Sequence, residues 1–487
     1  ARMKQRFVFE VLKQFIAIVI ASFILFSAGT VYAGEQTDSR KIADINKPGV
    51  VMLQTIYSGT IIIPEFTVTE MTMDHIYDKV LDRVMSGEVA YDENAIYSEI
   101  LMMLFEKPIE YFTPTGTSMQ VSAQVGAMGT GFVVTPDGYI VTNAHVVATP
   151  EEELKNTFIE FGLSEMLNQS VYDLLALNES GYITVTEEMV MNIQQSIAQF
   201  YLNHMKIENL QTSVHAAIGV NIPGLQNIQK GYTCDIKKVG EPAPGKDVAI
   251  LKIEGNDNLM TVSLGDDTDI QTGDTVFVIG YPAAATFNPA LAAESAIESS
   301  MTSGLVSAIK TMPGGWKVFQ MDAAISGGNS GGPVLNSKGE VIGIATFGSV
   351  DTQTGSSVQG MNFAIPVSIA KQFLNETNVT PTESSLTALY KEGLNLYGKQ
   401  KFKKAYEKFS AVNDLNPGYP YIQEYISKTR TAINEGRDKS TDTTMYIAIG
   451  VGAVLVIVVG ILIAIIVSGK KKKWKQNQNQ VRVDENK

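Results

Sequence analysis

Among 487 residues there is one cysteine, Cys234, so no disulfide can form within the chain. That excludes the small disulfide-framework class and leaves a protein held by its hydrophobic core. With no cysteine or histidine partner in a surrounding motif, Cys234 reads as a small buried hydrophobe rather than a nucleophile. Histidine is nearly as scarce, with His75, His145, His204 and His215 exhausting the candidates for a side chain that titrates near neutral pH. No cofactor-binding or metal-ligand pattern stands out, so no cofactor and no metal are expected. Positive charge is also in short supply, at 38 Lys or Arg against 51 Asp or Glu. The first 33 residues hold four Lys or Arg and one Glu, and the last 19 hold seven and two acids, so the stretch between carries a net charge of −21. A surface of that sign does not suit a phosphate backbone, and no nucleic-acid partner is expected.

Long apolar runs are confined to two places. Residues 14–34 carry no charge, follow Arg2, Lys4 and Arg6, and end on Val31-Tyr32-Ala33. This has the form of a signal peptide over 1–33, or of an uncleaved amino-terminal anchor. Residues 445–468 form a 24-residue uncharged run followed by Lys470 to Lys473, which reads as a transmembrane helix with a basic cytoplasmic tail over 469–487. The expected localisation is therefore a single-pass membrane protein, or a two-pass one if the first segment stays, with its bulk outside the cytoplasm.

Between these runs, from about Gly49 to Ile365, short apolar stretches alternate with Gly, Pro and Asp turns, the pattern of an all-β barrel or sandwich. "GFVVTPDGYIVTN" (131–143) reads as a hairpin around Pro136-Asp137-Gly138, and 247–253, 275–280, 304–309, 317–321 and 340–346 read as strands. Helical spacing interrupts the pattern over 72–107 and 149–205, the latter opening with Thr149-Pro150 as cap and first-turn proline before three glutamates. A linker over 377–385 precedes a helical segment, 386–436, in which Gly393, Ala405, Phe409 and Pro417 match the spacing of a tetratricopeptide repeat. Such a segment offers a surface for a protein partner.

The chemistry concentrates in "DAAISGGNSGGPV" (322–334), where four glycines surround Ser330. Attack on an amide carbonyl needs a hydroxyl at a sharp turn with backbone N–H groups aimed at the developing oxyanion. The amides of Gly328 and Ser330 can converge in that way. His145, in "VTNAHVV" after the hairpin, is the histidine best placed as general base. Asp247, at the head of the apolar run "DVAILKI", is the preferred carboxylate to orient it, with Asp235 and Asp322 as rivals.

"GTGFVVTPDGYIVTNAHVV", "GKDVAILKIEG" and "DAAISGGNSGGPVLNSKGEVIGIATFG" together resemble the three catalytic blocks of the HtrA/Deg-type serine endopeptidases, in the same His, Asp, Ser order. The resemblance covers most of 41–376. It implies a mainly β, two-barrel trypsin-like (chymotrypsin-fold) protease domain, with His145 as base, Asp247 as orienting carboxylate and Ser330 as nucleophile. The amides of Gly328, Asn329 and Ser330 would surround the oxyanion. The strand carrying Ile344, Ala345, Thr346, Phe347 and Gly348 would pair with substrate, and Ile325 and Phe347 would line an apolar specificity pocket suited to aliphatic side chains. The implied substrates are polypeptides, unfolded or exported proteins among them. No PDZ domain follows, and His145 and Asp247 lie 102 positions apart because of the helical insertion. A trypsin-like barrel that binds peptides without cutting them is the alternative.

Overall fold

The computed structural model describes residues 39–218, 231–286, 298–350, 357–417 and 421–440, with scattered residues between 452 and 475. Twelve strands among the described residues close into two six-stranded barrels. The first is formed by β1 (Val50–Val68), β2 (Phe112–Val133), β3 (Tyr139–Thr142), β4 (Lys206–Ala217), β5 (Tyr232–Val239) and β6 (Ala249–Ile253), in the order β1-β2-β3-β6-β5-β4. The second is formed by β7 (Thr275–Gly280), β8 (Ser300–Thr311), β9 (Lys317–Met321), β10 (Pro333–Leu335), β11 (Val341–Val350) and β12 (Ser357–Pro366), in the order β10-β11-β12-β9-β8-β7. Closure removes the exposed edges that open sheets must protect. One core bridges the barrels, joining Val50, Met52, Phe132 and Ile250 to Phe277, Ile279, Tyr281 and Ile344. The cleft between the barrels therefore rests on a single apolar floor.

β1 and β2 are far longer than barrel strands need to be, at 19 and 22 residues, and together they leave the first barrel as an arm. Tyr57, Ile61 and Ile63 on β1 and Ala123 on β2 lie on one face of that arm. The helices Glu151–Glu179 and Glu187–His204 cover it with Leu154, Phe158, Leu174, Ile193, Ile197 and Phe200, giving the arm a core of its own. Helices Glu70–Met85 and Glu93–Glu106 add Ile76, Val80 and Ile100. Thr69, Asp92 and Thr186 cap three of these helices by accepting from Thr72, Ala95 and Met189 N–H. The fourth differs from expectation. Pro150 occupies the cap position with no side-chain bond, Thr149 N–H is donated to Tyr57 Oη, and only the three first-turn glutamates favour that end.

Helices Ser385–Gly398 and Phe402–Leu415 form a hairpin, with Ile422–Asn434 packed on it. One such pair is fewer than the three a self-standing solenoid needs. Its glycine is dictated by contact, since a Cβ on Gly393 would lie 2.6 Å from the buried ring of Phe409. Gly393→Ala is expected to destabilise the hairpin by about 1–3 kcal/mol through overpacking, partly offset by a helix-propensity gain of up to about 1 kcal/mol. A lowered urea midpoint would register the net loss.

The single-pass membrane expectation is corrected by the structure: among the described residues no helix is long and apolar enough to cross a membrane. Segment 1–33 lies outside the described residues, as does most of 445–468.

Candidate active site

The hydrogen-bond ladder brings the distant groups together. β3 pairs antiparallel with β6, Thr142 opposite Ala249, so the residues just after β3 come to rest beside those just before β6. His145 thus meets Asp247 across a 102-residue gap in sequence. The Asp247 carboxylate, 2% exposed, accepts from the His145 backbone N–H at 2.9 Å and faces the imidazole Nδ1 at 2.6 Å. Asn143 Nδ2 donates to the Asp247 carbonyl at 2.7 Å, fixing the backbone that carries the acid. A buried carboxylate held this way selects the ring tautomer with a proton on Nδ1, which leaves Nε2 as the acceptor.

Ser330 comes from the second barrel. Its Oγ donates to the Thr346 carbonyl at 2.9 Å, and Thr346 Oγ1 donates to Asp247 Oδ2 at 2.8 Å. The three candidate residues are thereby linked through Thr346, and among the described residues no direct bond joins Ser330 to His145.

The glycine-rich turn is pinned by its carbonyls. Gly327 O accepts from Ala283 N, Gly328 O accepts from Thr130 Oγ1 at 2.7 Å, and Asn329 O accepts from Gly332 N. Since C=O and N–H of a trans peptide point in opposite directions, the Gly328 and Ser330 N–H groups are turned away from these anchors. Gly328 needs its φ of +97°, and a Cβ there would lie 2.2 Å from the Tyr281 carbonyl. Asn329 corrects the expected donor set, because its N–H is donated to Ser326 O at 3.0 Å. Among the described residues the Gly328 and Ser330 N–H groups donate to no protein acceptor.

A cleft of about 470 Å³ borders Ser330 and is lined by Ile325, Thr346, Gly348, Val358, Asp322 and Asn362. Its mixed lining departs from the apolar pocket expected. Ile344 and Ala345 also depart from expectation. Both are fully buried and absent from the lining: Ala345 N–H is donated to Gly332 O and its carbonyl accepts from Gly331 N, and Ile344 lies paired between Pro333 and Ile365. Phe347 lies on β11, and its side chain is outside the described residues. The rival acids are engaged elsewhere: Asp235 pairs with Lys237 at 3.1 Å, and Asp322 accepts from Leu305 N. His204 stacks on Phe200 within its own helix, and His215 faces Ser213. Burial pushes the Cys234 thiol up to about 12, too high for a thiolate nucleophile.

Sequence reasoning missed Thr130. It is fully buried at the end of β2, its Oγ1 bonded to Gly328 O and Tyr281 N, its N–H to Ser330 O and its carbonyl to Thr142 Oγ1. Lodged between two glycines before an apolar strand, it gave no local signal of this. Thr130→Val keeps the shape and removes the hydroxyl, leaving two buried backbone groups short of a partner at about 1–3 kcal/mol each. A depressed melting temperature together with a reduced kcat is the expected result.

A family model described as "Trypsin-like peptidase domain" matches residues 220–344. "Serine protease Do-like HtrA" of Lactobacillus helveticus is 34% identical over 218 residues, covering 43% of this chain and 48% of that protein. Part of the chain is thus similar to trypsin-like peptidase domains and to an HtrA serine protease. "Probable periplasmic serine endoprotease DegP-like" of Pseudomonas putida is 40% identical over 136 residues, 27% of this chain and 25% of that one. The chain thus spans less than half the length of these curated relatives. Among solved structures, "HtrA-type protease AlgW with decapeptide" covers 70% of this chain and 67% of its own at 18% identity, with a TM-score of 0.34. The two barrels contribute unequally to the candidate centre, His145 and Asp247 coming from the first and Ser330 from the second.

Proposed function

We propose that the chain hydrolyses peptide bonds through an acyl-enzyme formed on Ser330. His145 takes the hydroxyl proton as Ser330 Oγ attacks the carbonyl carbon, and Asp247 stabilises the imidazolium that results. The Gly328 and Ser330 amides receive the oxyanion. The C–N bond then breaks as the imidazolium returns its proton to the leaving amine, and water, deprotonated by His145, cleaves the ester. The observation that carries this reading is the buried Asp247 carboxylate engaging both the backbone N–H and the ring Nδ1 of His145. The first step requires Ser330 Oγ to turn from the Thr346 carbonyl toward the imidazole. Catalytic hydrogen bonds commonly tighten only once substrate is present. The substrates are polypeptides, and the relatives named as periplasmic endoproteases support processing of exported proteins.

The Ser330–Thr346 bond itself favours a second reading, a peptide-binding protein whose hydroxyl stays parked. Labelling with a fluorophosphonate probe separates the two. A covalent adduct on Ser330 supports the endopeptidase, whereas a folded chain that binds peptide and stays unlabelled supports the second reading.

A further inference from the structure

The outer edge of β2 runs straight into the candidate active centre. Thr130 N–H donates to Ser330 O at 2.8 Å and its carbonyl accepts from Thr142 Oγ1, so both main-chain groups of Thr130 point away from β1. In an antiparallel ladder a residue's N–H and C=O face the same side, and the side alternates along the strand. The β1–β2 register is unbroken from Val50 opposite Phe132 to Pro64 opposite Ser118. The main-chain groups of Met128, Gly126, Gln124, Ser122, Gln120 and Ser118 therefore also point outward. Among the described residues no strand pairs with this edge before Phe132 meets Val141. The five positions from Ser118 to Gly126 are exposed.

Exposed edges are ordinarily guarded by charge, proline, bulges or shortness. Residues 111–136 contain no Asp, Glu, Lys or Arg, and their interior proline is Pro114, beyond the free stretch. The outer edge of β4 on the opposite side of the arm is built differently, with Lys206, Glu208 and a register shift where Asn209 takes a φ of 54°. Among the described residues one edge is defended and the other left open.

We infer that the open edge of β2, from Met128 outward to Ser118, is a docking track for the part of a polypeptide substrate that follows the scissile bond, which adds to β2 as an extra strand. The inference rests on the endopeptidase reading. Two observations fix the occupant. The edge is continuous with Thr130, which bonds the Ser330 carbonyl, and Met128 abuts Gly328, its methyl 2.7 Å from where a Cβ would stand. An extended segment leaving Ser330 along this edge would meet the outward main-chain groups of Met128 and Gly126 first. The ten steps from Met128 to Ser118 span about 33 Å at the rise of a strand. The partner chemistry is an extended, uncharged segment of about ten residues, recognised through its main chain.

Two fluorogenic peptides identical before the cut test this with the full chain, one ending two residues after it and one continuing for ten alternating Thr, Val and Ser residues. The long peptide is expected to show a kcat/KM at least tenfold higher, through KM, and to lose that advantage when prolines replace every second added residue. Ser122→Pro removes an outward N–H that the β1–β2 ladder does not use. Ser122→Pro, and separately the pair Gln120→Lys and Gln124→Lys, should bring the long-to-short ratio toward one, with circular dichroism melts confirming the fold. A wild-type ratio near one overturns the proposal. So does an equal loss on both peptides, or a dimer that Ser122→Pro dissolves in sedimentation equilibrium without changing the ratio, which would assign the edge to a second copy. Anisotropy of the two labelled peptides with Ser330→Ala requires no cleavage. Tighter binding of the long peptide there upholds the track even if the wild type fails to label, and equal binding removes the track while leaving the endopeptidase reading intact.

Discussion

Ser330→Ala is expected to leave a folded protein that takes up no fluorophosphonate and cleaves casein no faster than background, a fall on the order of 10⁶ in kcat. The loss is large because the alanine has no atom able to form the acyl bond, while the backbone amides and cleft stay in place. The fold should survive, since the hydroxyl makes one bond, to the Thr346 carbonyl, at a half-buried position. Undiminished casein cleavage by the variant would remove Ser330 from the mechanism.

Asp247→Asn carries the next largest effect, a fall of about 10⁴ in kcat with KM little changed. The native carboxylate accepts three hydrogen bonds, from the His145 backbone, from the ring at Nδ1 and from Thr346 Oγ1. An amide offers one acceptor oxygen and must aim an N–H₂ group at a former donor. The imidazole then settles with its proton on the nitrogen that has to accept from Ser330. Steady-state kinetics on a short peptide, alongside a thermal melt, separates this from unfolding. A variant retaining more than a tenth of wild-type kcat would show that Asp247 does not orient the base.

Some barrel strands could be read ahead of the structure from short apolar runs bounded by turn residues. "TVFVIG" and "KVFQM" are β7 and β9 over the expected residues, and both are buried on both faces for most of their length. β1 and β2 could not be read to their full length. Their outer halves are packed by helices inserted from elsewhere, and β2 there is a run of small polar residues that looks like a loop until its register with β1 is known. In the site, the glycines around Ser330 announced a tight turn, since a φ of +97° at Gly328 has a direct cost for any other residue. The sparing of Gly328 and Ser330 N–H, the diversion of Asn329 N–H to Ser326, and the anchoring by Thr130 had no sequence signal, because each depends on which carbonyl happens to stand opposite.

The amino-acid sequence by itself determined the chemical inventory: four histidines, one serine set among glycines, an aspartate heading an apolar strand, and too little positive charge for nucleic acid. Local patterns carry this because periodicity and turn chemistry act over a few residues. Tertiary structure alone decided which groups meet, through the β3–β6 register that sets His145 against Asp247 and the packing of the two barrels that brings Thr346, bonded to Ser330, to Asp247. It also decided which edge stays open. Register and closure arise from pairings between residues tens to hundreds of positions apart, whose free energy belongs to the assembled sheet and to no single segment of it.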